Sequence, residues 1–123
     1  MQVIICGGRH YEISEEGYGW LASFPITRVL QGGAEGADRC ARQWAQQRGI
    51  PWDTFPADWA QYGKAAGPRR NATMLQALQS AGDDIAVMAF PGGAGTADMV
   101  HKAETAGVPL LSYVLPGDDC EAV

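Results

Sequence analysis

Short apolar runs alternate along this chain with longer segments whose apolar positions recur every three or four residues. Val3-Ile4-Ile5-Cys6 is β-branched, free of charge and halted by Gly7-Gly8. That pattern marks a strand buried on both faces, as in a parallel sheet. Residues 27–30, 85–90 and 109–115 repeat it, and residues 52–55 do so more weakly. Between the strands lie helical patterns. In 37–48, Ala37, Cys40, Ala41, Trp44 and Ala45 fall at i, i+3, i+4, i+7 and i+8, one apolar stripe, before Gly49 and Pro51 stop the helix. Ser14 ahead of Glu15 and Glu16 predicts an N-cap for a helix carrying Trp20, Leu21 and Phe24 inward. After a long connection over 56–68, helix resumes at 71–78, and Gly95-Thr96 opens a last helix to about Ala106.

Strands alternating with helices imply right-handed crossovers and a mostly parallel sheet of about five strands, covered on both faces. In such sheets ligands bind beyond the carboxyl ends of the strands, where the strand order reverses. Eight of the 16 glycines make that edge conspicuous. They gather at Gly7-Gly8, at Gly32, Gly33 and Gly36, and at Gly92, Gly93 and Gly95, each cluster directly after an apolar run.

Pro91-Gly92-Gly93-Ala94-Gly95-Thr96 is the strongest chemical signal. Glycines let successive N–H groups approach an anion, the following helix adds its positive N-terminal end, and Thr96 offers a hydroxyl. A bare turn capped by Thr96 needs fewer glycines. In the loop Gly32-Gly33-Ala34-Glu35-Gly36-Ala37-Asp38, Asp38 could accept hydrogen bonds from a ribose hydroxyl or simply complement the helix dipole. Gly8 and Arg9 close the first strand, and Arg9 could hold a phosphate bidentately or stay solvated. The long connection brings Asp58, Trp59, Tyr62, Lys64, Arg69, Arg70 and Asn71; Arg70 and Asn71 would face the cleft. Trp59 or Tyr62 could stack on a base, cover the core or meet a partner.

Composition narrows the classes. With 123 residues, one domain over 1–123 is expected, with an acidic tail from about residue 117. A net charge of −5 gives no broad basic face, so duplex nucleic acid is not the expected partner. Cys6, Cys40 and Cys120 form no CxxC pair, which reads as reduced thiols, Cys6 and Cys40 in the core. No apolar stretch approaches the ~20 residues that span a bilayer, so a soluble cytoplasmic protein is expected. There is no P-loop, GxGxxG or GxSxG. His10 and His101 have no partner at ligand spacing, so no metal site is expected.

Taken together, Gly-Gly-Arg after the first strand, GGAEGAD, WAQQRGIP, ADWAQYGKAAGPRRNATM, AFPGGAGTADM and AETAGVP resemble the SLOG superfamily of Rossmann-like domains, in its small YspA-like, YpsA-related branch. The resemblance runs to about Leu111. It implies a Rossmann-like three-layer α/β sandwich, a nucleotide-type ligand and a homodimer, since the superfamily commonly pairs near the cleft. It includes LOG phosphoribohydrolases, DNA-processing protein A and domains sensing ADP-ribose-like signals. By that similarity Gly92, Gly93, Gly95 and Thr96 would hold phosphate, and Gly33, Gly36 and Asp38 would line the nucleotide cleft. LOG enzymes carry a catalytic glutamate three residues after the threonine; here Met99 stands there, with Asp98 beside it. The expected function is therefore binding of a nucleotide or ADP-ribose-like ligand, as sensor or sequestering domain, with no further cofactor. The alternatives are hydrolysis of an N-glycosidic or phosphate bond, with Asp98, Asp38 or Arg70 as candidate catalytic groups, and an interaction module whose cleft has lost its ligand.

Overall fold

The computed structural model describes residues 1–114; the expected acidic tail and Cys120 lie outside them. Strands β1 (Gln2–Cys6), β2 (Arg28–Gln31), β3 (Trp52–Thr54), β4 (Ile85–Ala89) and β5 (Leu110–Ser112) form one sheet in the order β3-β2-β1-β4-β5. Every pairing is parallel, with Val3 opposite Val29 on one side and Ala86 on the other. The helices are α1 (Glu15–Ala22), α2 (Ala37–Gln47), α3 (Trp59–Tyr62), α4 (Ala66–Gln79) and α5 (Ala94–Ala106).

Strand alternation distributes the core between two layers. Val3, Ile5, Ala86, Met88 and Phe90 point to the layer holding Leu21 of α1 and Cys40, Ala41 and Trp44 of α2. Ile4, Cys6, Val87 and Ala89 point the other way, to Met74, Leu75 and Leu78 of α4 and Met99 and Ala103 of α5. The architecture is a Rossmann-like α/β/α sandwich. Cys6 and Cys40 are buried free thiols. Ser14 caps α1 by accepting from Gly17 N at 3.1 Å. Leu21 is fully buried on that helix; Trp20 and Phe24 are half-buried in an aromatic cluster with Phe90 and Tyr113.

Three predicted boundaries shift; the last strand, expected over 109–115, spans only Leu110–Ser112 among the described residues. The helix expected from Asn71 begins at Ala66 and takes Gly67 and Pro68 into its first turn, where proline's missing N–H would have no intrahelical partner anyway. The connection before it folds into the one-turn α3 and a 3₁₀ turn, Gly63–Ala65. Thr96 is not the cap of α5: that place belongs to Gly93, and no side chain caps the helix.

Candidate functional site

From β1 the chain runs to β2 and β3 on one side of the sheet, then returns to β4 and β5 on the other. The loops after β1 and β4 lead to helices on opposite faces, which opens a crevice at the carboxyl edge. Gly8 holds the crevice floor together. Its N–H donates to Pro91 O at 2.9 Å, and its carbonyl accepts from Ala37 N at 3.1 Å. A side chain on Gly36, whose φ is +72°, would collide with the carbonyls of Gly8 and Arg9. Glycine there lets α2 start against the β1 loop.

Above this floor lies a cleft of about 800 Å³. One wall is the uncapped N-terminus of α5 with Gly92, Gly93, Ala94 and Gly95 exposed beside it. Unpaired first-turn N–H groups and the helix dipole make this wall electropositive. A Cβ on Gly92 would run into Thr96 Oγ1 and lie 2.7 Å from Gly8 N, whereas one on Gly93 or Gly95 would meet nothing within 4 Å. Gly92 is thus needed for close packing, while Gly93 and Gly95 leave space open.

The facing wall is built from α4 and the loop after β2. Arg70 Nη1 donates to Gly32 O at 2.7 Å and to Phe55 O at 3.2 Å, and its Nε to Asn71 Oδ1 at 2.9 Å. These bonds fix the guanidinium at the cleft while its burial lowers the pKa, an effect that nearby Asp38 opposes and Arg9 reinforces. Buried Gln31 shapes the loop: its Oε1 accepts from Gly33 N at 2.6 Å and its Nε2 reaches Thr54 Oγ1. Asp38 is 7% exposed and accepts from Ala34 N at 3.3 Å. Burial raises its pKa, against the lowering pull of that amide, Arg70 and the Gly32 amide.

Asn71, 4% exposed, joins the walls by donating to Gly95 O at 3.1 Å and Asp98 Oδ2 at 3.0 Å. Asp98 also takes Lys102 Nζ at 2.6 and 2.7 Å. Burial pushes the Asp98 carboxyl up, but the bonds from Lys102 and Asn71 outweigh it and hold the pKa below the ordinary value. Asp98 borders the cleft, while Met99 turns into the core at 0% exposure. Cys6 borders it too, its thiol pushed up to about 12 chiefly by burial and so kept protonated.

Of the expected site residues, Gly8, Arg9, Gly32, Ala34, Asp38, Trp59, Arg70, Asn71, Pro91, Gly92, Gly93, Gly95 and Thr96 line this one cleft. Gly33, Gly36 and Asp58 are not among its lining. Gly33 sits behind, where a Cβ would meet Thr54, and Asp58 caps α3 by accepting from Gln61 N at 3.1 Å. Tyr11, Pro68 and Met74 also line it. Met74 follows from the helical repeat that presents Arg70, four residues earlier, and Pro68 from the one that presents Asn71, three residues later, once α4 starts at Ala66; Tyr11 carries no such signal. Among the described residues, no group of three or more His, Cys, Asp and Glu is placed to hold a metal ion, and no helix is long and apolar enough to cross a membrane.

Residues 18–62, which include the loop after β2 and reach Trp59, match the family described as YspA, cpYpsA-related SLOG. The chain is also similar to the Gene 61 protein of Mycobacterium phage D29, 38% identical over 92 residues, which is 69% of this chain and 70% of that protein. With that similarity spanning more than two thirds of both proteins, and an all-parallel sheet opening its cleft at the β1/β4 switch point, the chain belongs to the YspA, cpYpsA-related SLOG family.

Proposed function

We propose that this protein binds a nucleotide or nucleotide-derived, ADP-ribose-like phosphorylated ligand in the cleft, as a sensor or sequestering domain. The observation that carries the reading is the convergence of the uncapped, glycine-lined start of α5 with Arg9, Lys64 and Arg70 on one cavity of an acidic protein. Three cations there face two carboxylates, one already paired with Lys102. In this reading Gly92, Gly93, Gly95 and Thr96 receive phosphate, and Asp38 accepts from a ribose hydroxyl. Thermal unfolding against nucleoside phosphates, ADP-ribose, NAD and cyclic nucleotides tests it. A ligand at about a hundred times its Kd adds ~2.7 kcal/mol, a rise of roughly 10 °C in a domain of this size. A flat panel would remove the reading.

A second reading, hydrolysis of the ligand, is favoured by one observation. Asp38 and Asp98 border the same cleft with their pKa values pushed in opposite directions. That separation suits a proton donor and a charged stabiliser. Asp38 would protonate a leaving group, and Asp98, held ionised, would face developing positive charge. Mass analysis of bound ligand after long incubation separates the two: intact ligand supports the binder, and cleaved ligand the hydrolase.

A further inference from the structure

At the cleft rim the Arg9 guanidinium carbon lies 5.5 Å from the centre of the Trp59 ring. Both side chains are exposed, Trp59 at 48%, and both border the cleft. The far edge of the indole rests on α4, where a Cβ on Gly67 would lie only 3.2 Å from Trp59 Cη2. Gly67 has no positive φ, so its missing side chain serves to seat the ring. Trp59 is therefore held on α4 while Arg9 lies over its ring.

An exposed cation–π pair is worth only about two- to fivefold in an equilibrium. Stacking of a nucleobase on an aromatic side chain is worth about five- to a hundredfold, whatever the base. A planar ring entering the cleft thus outcompetes the guanidinium. Arg9 directly follows Gly8, whose N–H bonds to Pro91 O at 2.9 Å. A displaced Arg9 is tethered beside the start of the glycine-lined loop after β4, where its fork can take two phosphate oxygens.

We propose that Trp59 is the base-stacking platform of this cleft and that Arg9 is its placeholder, moving from the indole to the ligand phosphate when a base takes its place. The inference rests on the phosphate-binding reading above and extends it to the ligand's class, a molecule carrying an aromatic base and a phosphate together. Base and phosphate then reinforce each other. A nucleoside displaces Arg9 without giving it a new partner, and a sugar phosphate draws Arg9 away without covering Trp59.

Calorimetric titration of the wild type, Trp59→Ala and Arg9→Ala tests this with the four nucleoside monophosphates, the matching nucleosides and ribose 5-phosphate. Both residues are exposed, and circular dichroism checks that each variant is folded. Trp59→Ala should weaken the preferred monophosphate by about two- to fiftyfold, the lost stacking less the contact that Arg9 no longer gives up, while leaving ribose 5-phosphate unchanged or up to about fivefold tighter. Arg9→Ala should weaken the monophosphate yet tighten the nucleoside by about two- to fivefold. Monophosphate affinity indifferent to Trp59, or a nucleoside that Arg9→Ala does not tighten, overturns the proposal while phosphate binding stands. No binding of any probe by the wild type overturns both.

Discussion

Two adjacent glycines in the loop after β4 serve opposite needs. Gly92 is squeezed between Thr96 and Gly8, so any side chain there must pry the loop from β1 or from the first turn of α5. Gly92→Ala should cost about 1–3 kcal/mol of stability through overpacking. Gly93 has open space where a side chain would go and an ordinary φ of −100°. Gly93→Val should cost about 1 kcal/mol of stability, for replacing the glycine that caps α5, yet abolish ligand binding by filling the anion niche. Thermal melts with and without ligand read both effects, and undiminished affinity in Gly93→Val would take this loop out of the site. The motif and its place after a strand are legible in the sequence, because they depend on neighbouring residues alone. Which glycine packs and which leaves room depends on Gly8, more than eighty residues away, and is visible only in the fold.

At the scale of elements, the strand ends were legible because buried parallel strands are uninterrupted apolar runs. The amphipathic stripe of α2 was legible for the same kind of reason. The start of α4 was not: Gly67 and Pro68 read as helix breakers, yet both lie in a first turn, where neither breaks a needed hydrogen bond. That shift puts Pro68 and Arg70 on the same helix as Asn71 and Met74, and all four line one cavity. Asn71 couples the two helices that wall the cleft, bonding Arg70, Gly95 and Asp98 from a buried position. Asn71→Ala should leave Arg70 Nε without its partner and take the cross-helix bond from the Gly95 carbonyl, which keeps its bond within α5, lowering stability by about 1–3 kcal/mol. Asp98 would keep Lys102. A denaturant midpoint unchanged from the wild type would show that α4 and α5 hold their places without this side chain.

On the scale of the whole molecule, the local and global fields oppose each other. The protein carries a net charge of −5, while the cleft gathers Arg9, Lys64 and Arg70 against Asp38 and Asp98. A dianionic phosphate approaching from roughly 15–20 Å, about the size of a domain of this length, meets a net repulsion of about 2 kcal/mol in unscreened water. Only inside the cleft do the arginines and the α5 terminus reverse the sign. Salt acts unequally on the two: at about 150 mM the screening length is about 8 Å, which removes most of the long-range repulsion and little of the close contact. Association should therefore quicken by roughly two- to fivefold between about 10 and about 150 mM salt, the reverse of a basic protein steering toward phosphate. Stopped-flow tryptophan fluorescence with a nucleoside phosphate measures that rate directly. An association rate that falls with salt would mean that the cleft's own cations dominate the approach as well as the contact.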